Sequence, residues 1–502
     1  MKKSTKNLLI MGAVLLVLGA AAALLWLLPA GSEEEEPSSA VSSDISSAVK
    51  EAALTELTAA DVTAISVKNA EDSYAFVSDG NEFVLQGYEE YDINSVSVAS
   101  ATQALLSMTP SKSLGSRDDP ENFGLSGKDA VQVEIACQDG SKVKLTLGSE
   151  AGESTGRYVQ KDNEVYIVSN VPDLLYAGKF DYFSTFLYSI ADRTQSITDE
   201  SGSTSIDTLP DILYKLHLSG THFPEDVHIE YSGEVLSAFL MTAPVRAESG
   251  NNGLDDVAAA LKAPAAIGVA AAGLTEEVLE EYGLLEPFAK AEFTLNTDSH
   301  TVTVSELDGN NNRYLLLDDR DVVYKVSQSE VAAWAETNAM KLRMSYIWLA
   351  NINDVEHITL TAEGDMVYRF DITREVDEER STEENTQYDL FVKNAAGNDI
   401  PYKNYQKFYQ KLIAVAVMSI DRPSGNDEDN GSDVIFGGFI GETSAPLLRV
   451  EYSYFESSAK NTVEFYAIEN DRCVAVLDGE FNGVVRKSEV DKLIAQLAEL
   501  NG

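Results

Sequence analysis

Apolar and polar residues alternate through residues 121–175 in four short runs that are separated by polar turns. Asp139-Gly140 and Asp162-Asn163 are residue pairs that favour tight turns between antiparallel strands. A short lead-in precedes the four runs, and the beginning of a helix follows them. The pattern therefore predicts an antiparallel meander of four strands that leads into a helix.

Two later segments repeat this pattern at a nearly constant spacing. Phe123-Gly124-Leu125 corresponds to Tyr282-Gly283-Leu284. Arg157-Tyr158 corresponds in the same way to Arg313-Tyr314. A third copy near the C-terminus aligns Arg472 with Arg313 and lacks the Gly-Leu lead-in. Self-similarity at a fixed period indicates serial structural units of one kind, so we predict three related units.

The repeat also predicts a strand register. In each copy, the strand that follows the arginine should pair with the next strand as a hairpin, and the hairpin should lead into a helix. The three arginines should then hold equivalent positions. The residues directly after them should face one side of the sheet together: Tyr158, Tyr314 and Cys473. This follows because side chains alternate along a strand, so a slip of one residue turns every apolar side chain towards water.

The N-terminal region contains a long apolar run at residues 8–28, without a charged or polar side chain. Its 21 residues span roughly 31 Å as a helix, which matches a hydrocarbon core of ~30 Å. Three lysines precede the run and Glu33–Glu36 follow it. We therefore expect a retained single-pass anchor with a cytoplasmic N-terminus. A cleaved signal peptide is the alternative, but Leu28-Pro29-Ala30 is a poor cleavage site.

The patterns together predict an α+β fold. An N-terminal transmembrane helix is followed by three related antiparallel, β-rich units, each with strand pairs and one or two packed helices. The predicted segments are a cytoplasmic tip and anchor at 1–30, a flexible acidic linker at 31–54, and units at 55–195, 205–345 and 350–502. Helices are predicted at 94–108, 254–262, 276–282, 402–418 and 488–500.

The net charge limits the kinds of partner that the protein can bind, and the cysteine content bears on disulfide bonding. The formal net charge is −45, from 37 basic and 82 acidic residues. The negative charge argues against nucleic acid and against anionic lipid surfaces as partners, because phosphate groups are bound by clusters of Lys and Arg. We expect no nucleic-acid partner. Two cysteines, Cys137 and Cys473, do not make a disulfide framework, and both lie in apolar strand patterns, so we expect buried free thiols.

Candidate chemistry is sparse. His217, His222 and His228 are spaced by five and six residues, which suits neither a helix face nor a zinc-ligand pair, so we expect structural or surface roles. The acidic loop at 424–433 places Gly437 where a calcium loop needs its bidentate Glu, so we expect a solvated loop. No local hydrolase, metalloprotease or nucleotide-binding signature is present. We assign no catalytic residue, no cofactor and no metal ligand.

The recurring arginines are the candidate site residues: Arg157, Arg313 and Arg472. Two interpretations are open. One is a ligand-facing arginine in each unit. The other, which we favour, is an exposed strand residue that pairs with nearby acids, because such surface ion pairs are common.

These features resemble the domain-of-unknown-function 4340 family. The resemblance rests on the N-terminal anchor, the paired strands, the two aromatic-Gly-Leu lead-ins, and the segments Gly156–Val159 and Val165–Val168. It covers residues 55–345 best and 350–500 weakly. The resemblance implies a bacterial surface protein, often encoded near an ABC transporter with gliding-motility-type components. It implies no catalytic residues.

The expected function is that of a non-catalytic binding or scaffolding component, anchored in the cell membrane through residues 8–28. ABC transporter subunits or other envelope proteins are the expected partners. One alternative is a cell-envelope hydrolase with a site between units. Another is a structural spacer or adhesin.

The apolar run generates a prediction about topology. Protease added to intact cells should digest the chain after residue 31 and leave its first residues protected, because the run holds the N-terminus inside. Recovery of the intact chain, with digestion only after lysis, would contradict this. A mature N-terminus near Gly31 in mass spectra of the membrane fraction would favour the signal peptide instead.

Overall fold

The computed structural model describes residues 53–501, except for 153–154, 199–201, 233–236, 383–385 and 423–444. These residues form three large antiparallel sheets, one separate hairpin and the helices that pack on the sheets. The prediction of an antiparallel, β-rich fold with packed helices is confirmed. None of the described helices is both long and apolar enough to cross a membrane, and the predicted anchor at 8–28 lies outside the described residues.

The first sheet has eight strands in the order β3-β2-β1-β5-β6-β7-β8-β4. Its strands are β1 Val62–Lys68, β2 Ser73–Ser78, β3 Phe83–Leu85, β4 Pro110–Ser116, β5 Val131–Cys137, β6 Lys142–Glu150, β7 Arg157–Lys161 and β8 Glu164–Val168. Helix α1 is Ser95–Leu106. Short 3-10 helices lie at Ala59–Asp61, Pro120–Phe123, Asp173–Tyr176 and Lys179–Tyr182. The predicted meander corresponds to β5–β8.

The second sheet has nine strands in the order β14-β13-β12-β11-β16-β17-β18-β19-β15. A separate hairpin, β9 Arg193–Thr198 and β10 Thr204–Leu209, precedes it in the chain. The strands of the second sheet are β11 Leu213–Ser219, β12 Val227–Tyr231, β13 Phe239–Ala243, β14 Ala247–Glu248, β15 Gly268–Ala272, β16 Ala289–Leu295, β17 Asp298–Val304, β18 Asn312–Leu317 and β19 Val322–Ser327. Its helices are α2 Asn251–Lys262, α3 Glu276–Glu281, α4 Gln328–Ala335 and α5 Ala339–Leu342.

The third sheet also has nine strands, in the order β23-β22-β21-β20-β25-β26-β27-β28-β24. Its strands are β20 Val355–Ala362, β21 Met366–Val376, β22 Tyr388–Asn394, β23 Asp399–Ile400, β24 Val417–Ser419, β25 Leu448–Tyr454, β26 Lys460–Ile468, β27 Arg472–Leu477 and β28 Glu480–Arg486. Its helices are α6 Tyr402–Ile413 and α7 Lys487–Asn501. The helix predicted at 402–418 therefore ends early, because residues 417–419 pair with β28 as an edge strand.

The three sheets share one strand order. In each, the first strand lies in the middle, with an antiparallel ribbon on one side and the four-stranded meander on the other. A helix (α1, α2 or α6) then connects the ribbon edge to a strand that closes the opposite edge (β4, β15 or β24). The second and third sheets each add one short strand outside the ribbon. The described part of the chain thus contains the same connectivity three times.

Period-two alternation explains how each sheet builds its core. Along β16 the buried residues are every second one: Ala289, Ala291, Phe293 and Leu295. The crossover helices bury the faces that their sequences predict. In α1 these are Val98, Ala101 and Leu105, and in α6 they are Tyr405, Phe408, Tyr409 and Leu412. We call the face that carries these helices the core face of each sheet and the opposite one its outer face.

The third sheet is buried on both faces along β27. Cys473, Ala475 and Leu477 line the core of their own unit. Val474 and Val476 join the core of the second unit instead. The second and third sheets are therefore packed into one continuous body. Cys137 and Cys473 are free thiols, as expected, but only Cys473 is buried, whereas Cys137 is partly exposed. Burial raises the pKa of the Cys473 thiol to about 11.

A polar junction connects these two sheets at a β-bulge. Ala475 pairs with Gly483 and Val476 pairs with Phe481, which leaves Asn482 as an extra residue in β28. The Arg343 guanidinium donates to the Asn482 carbonyl at 2.6 Å and to its side-chain oxygen at 3.0 Å. The side-chain amide of Asn482 donates to the Arg246 carbonyl at 2.6 Å. Because Arg343 and Asn482 are 4% and 1% exposed, these bonds are made away from water.

The junction predicts a large effect of Arg343→Met on stability. The substitution leaves the buried carbonyl and side-chain oxygen of Asn482 without their donors, which should lower the free energy of unfolding by about 2–4 kcal/mol. Urea titration measures this loss, and hydrogen exchange should locate it in β27 and β28. Arg369→Met is the control, because Arg369 is exposed and should cost less than about 1 kcal/mol. Equal stability of the two variants would contradict the role of the junction.

Candidate functional site

Arg157 and Arg313 occupy equivalent positions, as predicted. Each lies at the start of the strand that forms a hairpin with the last strand of its meander. Two residues further along each strand, Val159 lines the core of the first unit and Leu315 lines the core of the second. The hairpins then lead into the 3-10 helix Asp173–Tyr176 and into α4. The predicted order of elements, a hairpin that leads into a helix, is confirmed for these two copies.

Both guanidinium groups are already engaged within the chain. Arg157 contacts Asp173 at 2.6 Å and lies over the Tyr176 ring at 4.2 Å from its centroid. Arg313 is 2% exposed, and it donates to the Ser305 carbonyl and to Glu336, each at 2.7 Å. The expectation of an exposed residue is therefore wrong for Arg313. The less favoured interpretation, contact of these arginines with an external ligand, stays untested.

The buried Arg313 also perturbs its acidic partner. Burial raises the pKa of Glu336, but hydrogen bonds from Arg313 and Gln328 outweigh it and hold the pKa below its ordinary value. The Arg313 guanidinium stacks on the Phe288 ring at 3.9 Å from its centroid. Such a contact stabilises a desolvated cation. This arginine therefore organises the packing at the end of β18.

Arg472 does not hold the equivalent position, which corrects the predicted alignment. β19 and β28 end directly before their helices, at Ser327 and Arg486. Ser327 pairs with Asn312, whereas Arg486 pairs with Arg472. Arg472 therefore takes the place of Asn312, and Cys473 takes the place of Arg313.

The physical reason is a change in hairpin length. The paired residues Asn312 and Ser327 are 15 positions apart, and Arg472 and Arg486 are 14 apart. The turn after Leu477 has two residues, which is two fewer than the turn between β18 and β19. The bulge at Asn482 adds back only one residue, so the third hairpin stays one residue shorter. As a result Tyr158 and Tyr314 face the outer side, but Cys473 faces the core.

The aromatic-Gly-Leu lead-in has a structural role in the two copies that contain it. Phe123 packs edge-on against Tyr158 with ring centroids 4.9 Å apart, and Tyr282 packs against Tyr314 at 4.6 Å. The glycines adopt left-handed φ values of 64° and 67°. This backbone conformation ends the preceding helical turn. The lead-in thus covers the outer face of the arginine-bearing strand.

A glutamate that is not among the predicted site residues recurs on the outer face of all three sheets. Glu134, Glu292 and Glu451 occupy corresponding places in β5, β16 and β25. Each has a basic neighbour: Lys142 at 2.6 Å, Lys290 at 2.5 Å and Arg449 at 3.2 Å respectively. The hydrogen bond from Lys290, with a further one from His217, lowers the pKa of Glu292. The recurring apolar-x-apolar-Glu pattern was the available sequence signal.

The three histidines considered in the sequence, His217, His222 and His228, have different surroundings in the second unit. His217 and His228 lie directly opposite each other on β11 and β12. His222 lies elsewhere and contacts the Thr337 carbonyl at 2.9 Å through Nε2. Spacing along the chain does not predict the cross-strand pair, because strand pairing brings the two histidines together. The acidic loop at 424–433 lies outside the described residues.

A groove of about 650 Å3 follows α1 in the first unit. Its walls are residues 57–59, the β2–β3 turn and the outward side of α1. The surface mixes apolar side chains such as Val96, which is 76% exposed, with hydroxyl and amide groups. Glu82 is the one acidic or basic residue among the described residues that line it. The groove offers apolar contact and neutral hydrogen bonding more than acid–base chemistry.

These features define a protein of tandem antiparallel sheets with one repeated connectivity. The family model described as Domain of unknown function (DUF4340) matches residues 84–205. The match runs from β3 to β10 and includes α1, the first lead-in and Arg157-Tyr158. The resemblance to this family is therefore confirmed over that stretch. No curated protein and no solved structure matches the chain.

The arginines generate a prediction that separates the two interpretations. Arg313→Met should lower the free energy of unfolding by about 2–4 kcal/mol, because the Ser305 carbonyl and Glu336 lose a buried donor. Arg472→Met should cost less than about 1 kcal/mol, since the hydrogen bond that Arg472 donates to the Glu469 carbonyl is exposed. Circular dichroism during denaturation compares the two. An Arg313→Met variant as stable as the natural protein would instead favour a ligand-binding role.

Proposed function

We propose that the chain is a membrane-anchored, extracytoplasmic binding or scaffolding protein, without catalytic activity, that works as an accessory to an ABC transporter. The anchor is residues 8–28, and the units at 55–195, 205–345 and 350–502 are copies of one ancestral module. Support for the location comes from the lysine-flanked apolar run. The family resemblance supports the link with a transporter.

The observation that carries the binding role is the groove along α1. Its lining provides exposed apolar surface and neutral polar groups, which suit a segment of a partner protein. General acid–base or nucleophilic catalysis needs a positioned pair of reactive side chains, and Glu82 is the single titratable residue among the described residues that line the groove. We therefore place the partner's contact surface on Val96, Ala99 and Gln103 of this groove.

Packing between the units supports the scaffolding role. Tyr91 of the first unit donates a hydrogen bond to Asp321 of the second at 2.9 Å. Val269 and Ala272 of β15 pack against the core of the first unit. The second and third units share a core and the Arg343 junction. Because of these contacts, a partner protein that binds the first unit is held at a defined distance from the third unit.

The alternative of a hydrolase with a site between units finds little support at the junction of the second and third units. The polar groups there are closed to solvent, with Glu248 and Ser249 exposed by 3% and 0%. Burial raises the pKa of Glu248, but substrate has no access to it. A structural spacer or adhesin differs from our proposal in having no specific transporter partner.

Co-purification from native membranes tests the proposal. The tagged full chain should recover ABC transporter subunits, identified by mass spectrometry. Val96→Asp should reduce that recovery about tenfold or more, because it places a charge in the proposed contact. An acid in the first turn of α1 is compatible with the helix dipole, so the fold should persist.

Val367→Asp is the matched control, because Val367 is also exposed, by 58%, but lies on the third sheet. It should leave the recovery unchanged. Equal recovery by both variants would remove the groove from the proposal. Absence of transporter subunits from every sample would reject the partner and favour the spacer or adhesin.

A further inference from the structure

The outer face of the second sheet brings together two imidazoles and a carboxylate. His217 and His228 are direct cross-strand partners, with ring centroids 4.2 Å apart. Asp226 Oδ2 lies 2.9 Å from His217 Nε2. One possible ligand atom from each of the three residues lies within 4.8 Å of the others. This is the scale on which side chains share one ion.

The placement follows from strand alternation. Leu216 and Leu218 are buried in the core, so His217 between them faces outwards. Val227 and Ile229 are likewise buried on either side of His228. Side chains of directly opposed residues in an antiparallel pair are close neighbours. The register of the core therefore holds the two imidazoles together on the solvent side.

A second carboxylate orients His217. Glu292 lies opposite His217 on β16, with its Oε2 3.2 Å from His217 Nδ1. Lys290 Nζ holds the other oxygen of Glu292 at 2.5 Å. When Nδ1–H donates to Glu292, the lone pair of Nε2 faces Asp226 Oδ2 at 2.9 Å, and a bound ion takes the place of a proton between these two atoms. A carboxylate behind a ligating histidine is the usual way in which proteins fix the tautomer and raise the basicity of that ligand.

We propose that His217, Asp226 and His228 bind a divalent transition-metal ion of the Zn2+ class, with Glu292 as the residue that positions His217. Two imidazoles and one carboxylate suit zinc and its neighbours, whereas Ca2+ and Mg2+ prefer all-oxygen sites. Bonds of about 2.0–2.2 Å require ligand atoms closer together than 4.8 Å. The partly exposed side chains of His217 and Asp226 have room for that adjustment.

The coordination chemistry leaves one position open. Three protein ligands complete three corners of a tetrahedron, and the fourth is left to water or to an external group. The site lies on a sheet surface, so a carboxylate or imidazole of a partner protein could reach that position. The ion would also tie β11 to β12.

Among the described residues of the other two units, the corresponding positions carry no histidine pair. Ser66 and Ala75 form the corresponding cross-strand pair in the first sheet, and Thr359 and Arg369 form it in the third. The site is therefore particular to the second unit rather than a general consequence of the fold. His357 of the third sheet lies opposite Asp371, with Nδ1 2.7 Å from the carboxylate, and has no second imidazole across the strand.

Calorimetric titration of the full chain with ZnCl2 tests the proposal. Millimolar Ca2+ in the buffer occupies non-specific carboxylates on a chain of net charge −45. We expect saturable binding of one Zn2+ per chain. His228→Ala should weaken it about a hundredfold, and Glu292→Gln about tenfold. His357→Ala, the matched control, should bind as the natural protein does.

Circular dichroism verifies that each variant is folded, and His228→Gln replaces His228→Ala if the smaller side chain disturbs the hairpin. Co2+ substitution gives a second readout, since a tetrahedral site shows strong visible absorption that His228→Gln should remove. Absence of saturable Zn2+ binding would overturn the proposal. Binding that survives in both His217→Ala and His228→Gln would overturn it equally, because it would show adventitious binding to the acidic surface.

Discussion

The bulge residue Asn482 and its buried partner Arg343 form the contact on which the arrangement of the second and third sheets depends. The bulge adds a residue to β28, and Arg343 satisfies the carbonyl and amide oxygen of that residue where water cannot. Two apolar residues of the adjacent strand β27, Val474 and Val476, enter the core of the second unit. A polar contact of this kind defines how two apolar surfaces meet, because an unpaired buried donor or acceptor is costly.

Repetition of one fold has produced different uses of the same positions. Both arginines lie over an aromatic ring, but the Arg157 side chain is 17% exposed, while its counterpart Arg313 is fully enclosed. In the third unit the position belongs to Cys473, an apolar core residue. Core faces tolerate such changes only when size and polarity are compensated locally, as Glu336 and the Ser305 carbonyl do for Arg313.

The outer faces are less constrained, and differences in chemistry collect there. A glutamate with a basic neighbour recurs in all three sheets. In the second sheet alone, among the described residues, this glutamate lies beside a cross-strand pair of histidines. The first unit differs in another way, by the groove along α1. Solvent-facing positions vary at small cost in stability, so one scaffold can present a separate surface in each unit.

The sequence by itself determined the meander, the antiparallel β-rich class, the hairpins after Arg157 and Arg313, and the core faces of α1 and α6. These are properties of local alternation and helical periodicity, which depend on residues close together in the chain. Tertiary structure decided the register of Arg472, because its hairpin is adjusted by a bulge held by Arg343, 139 residues away. It also decided the edge strands β4, β15 and β24 and the meeting of His217 with His228. Pairing between strands brings distant residues together, and periodicity along the chain does not predict which strands become neighbours.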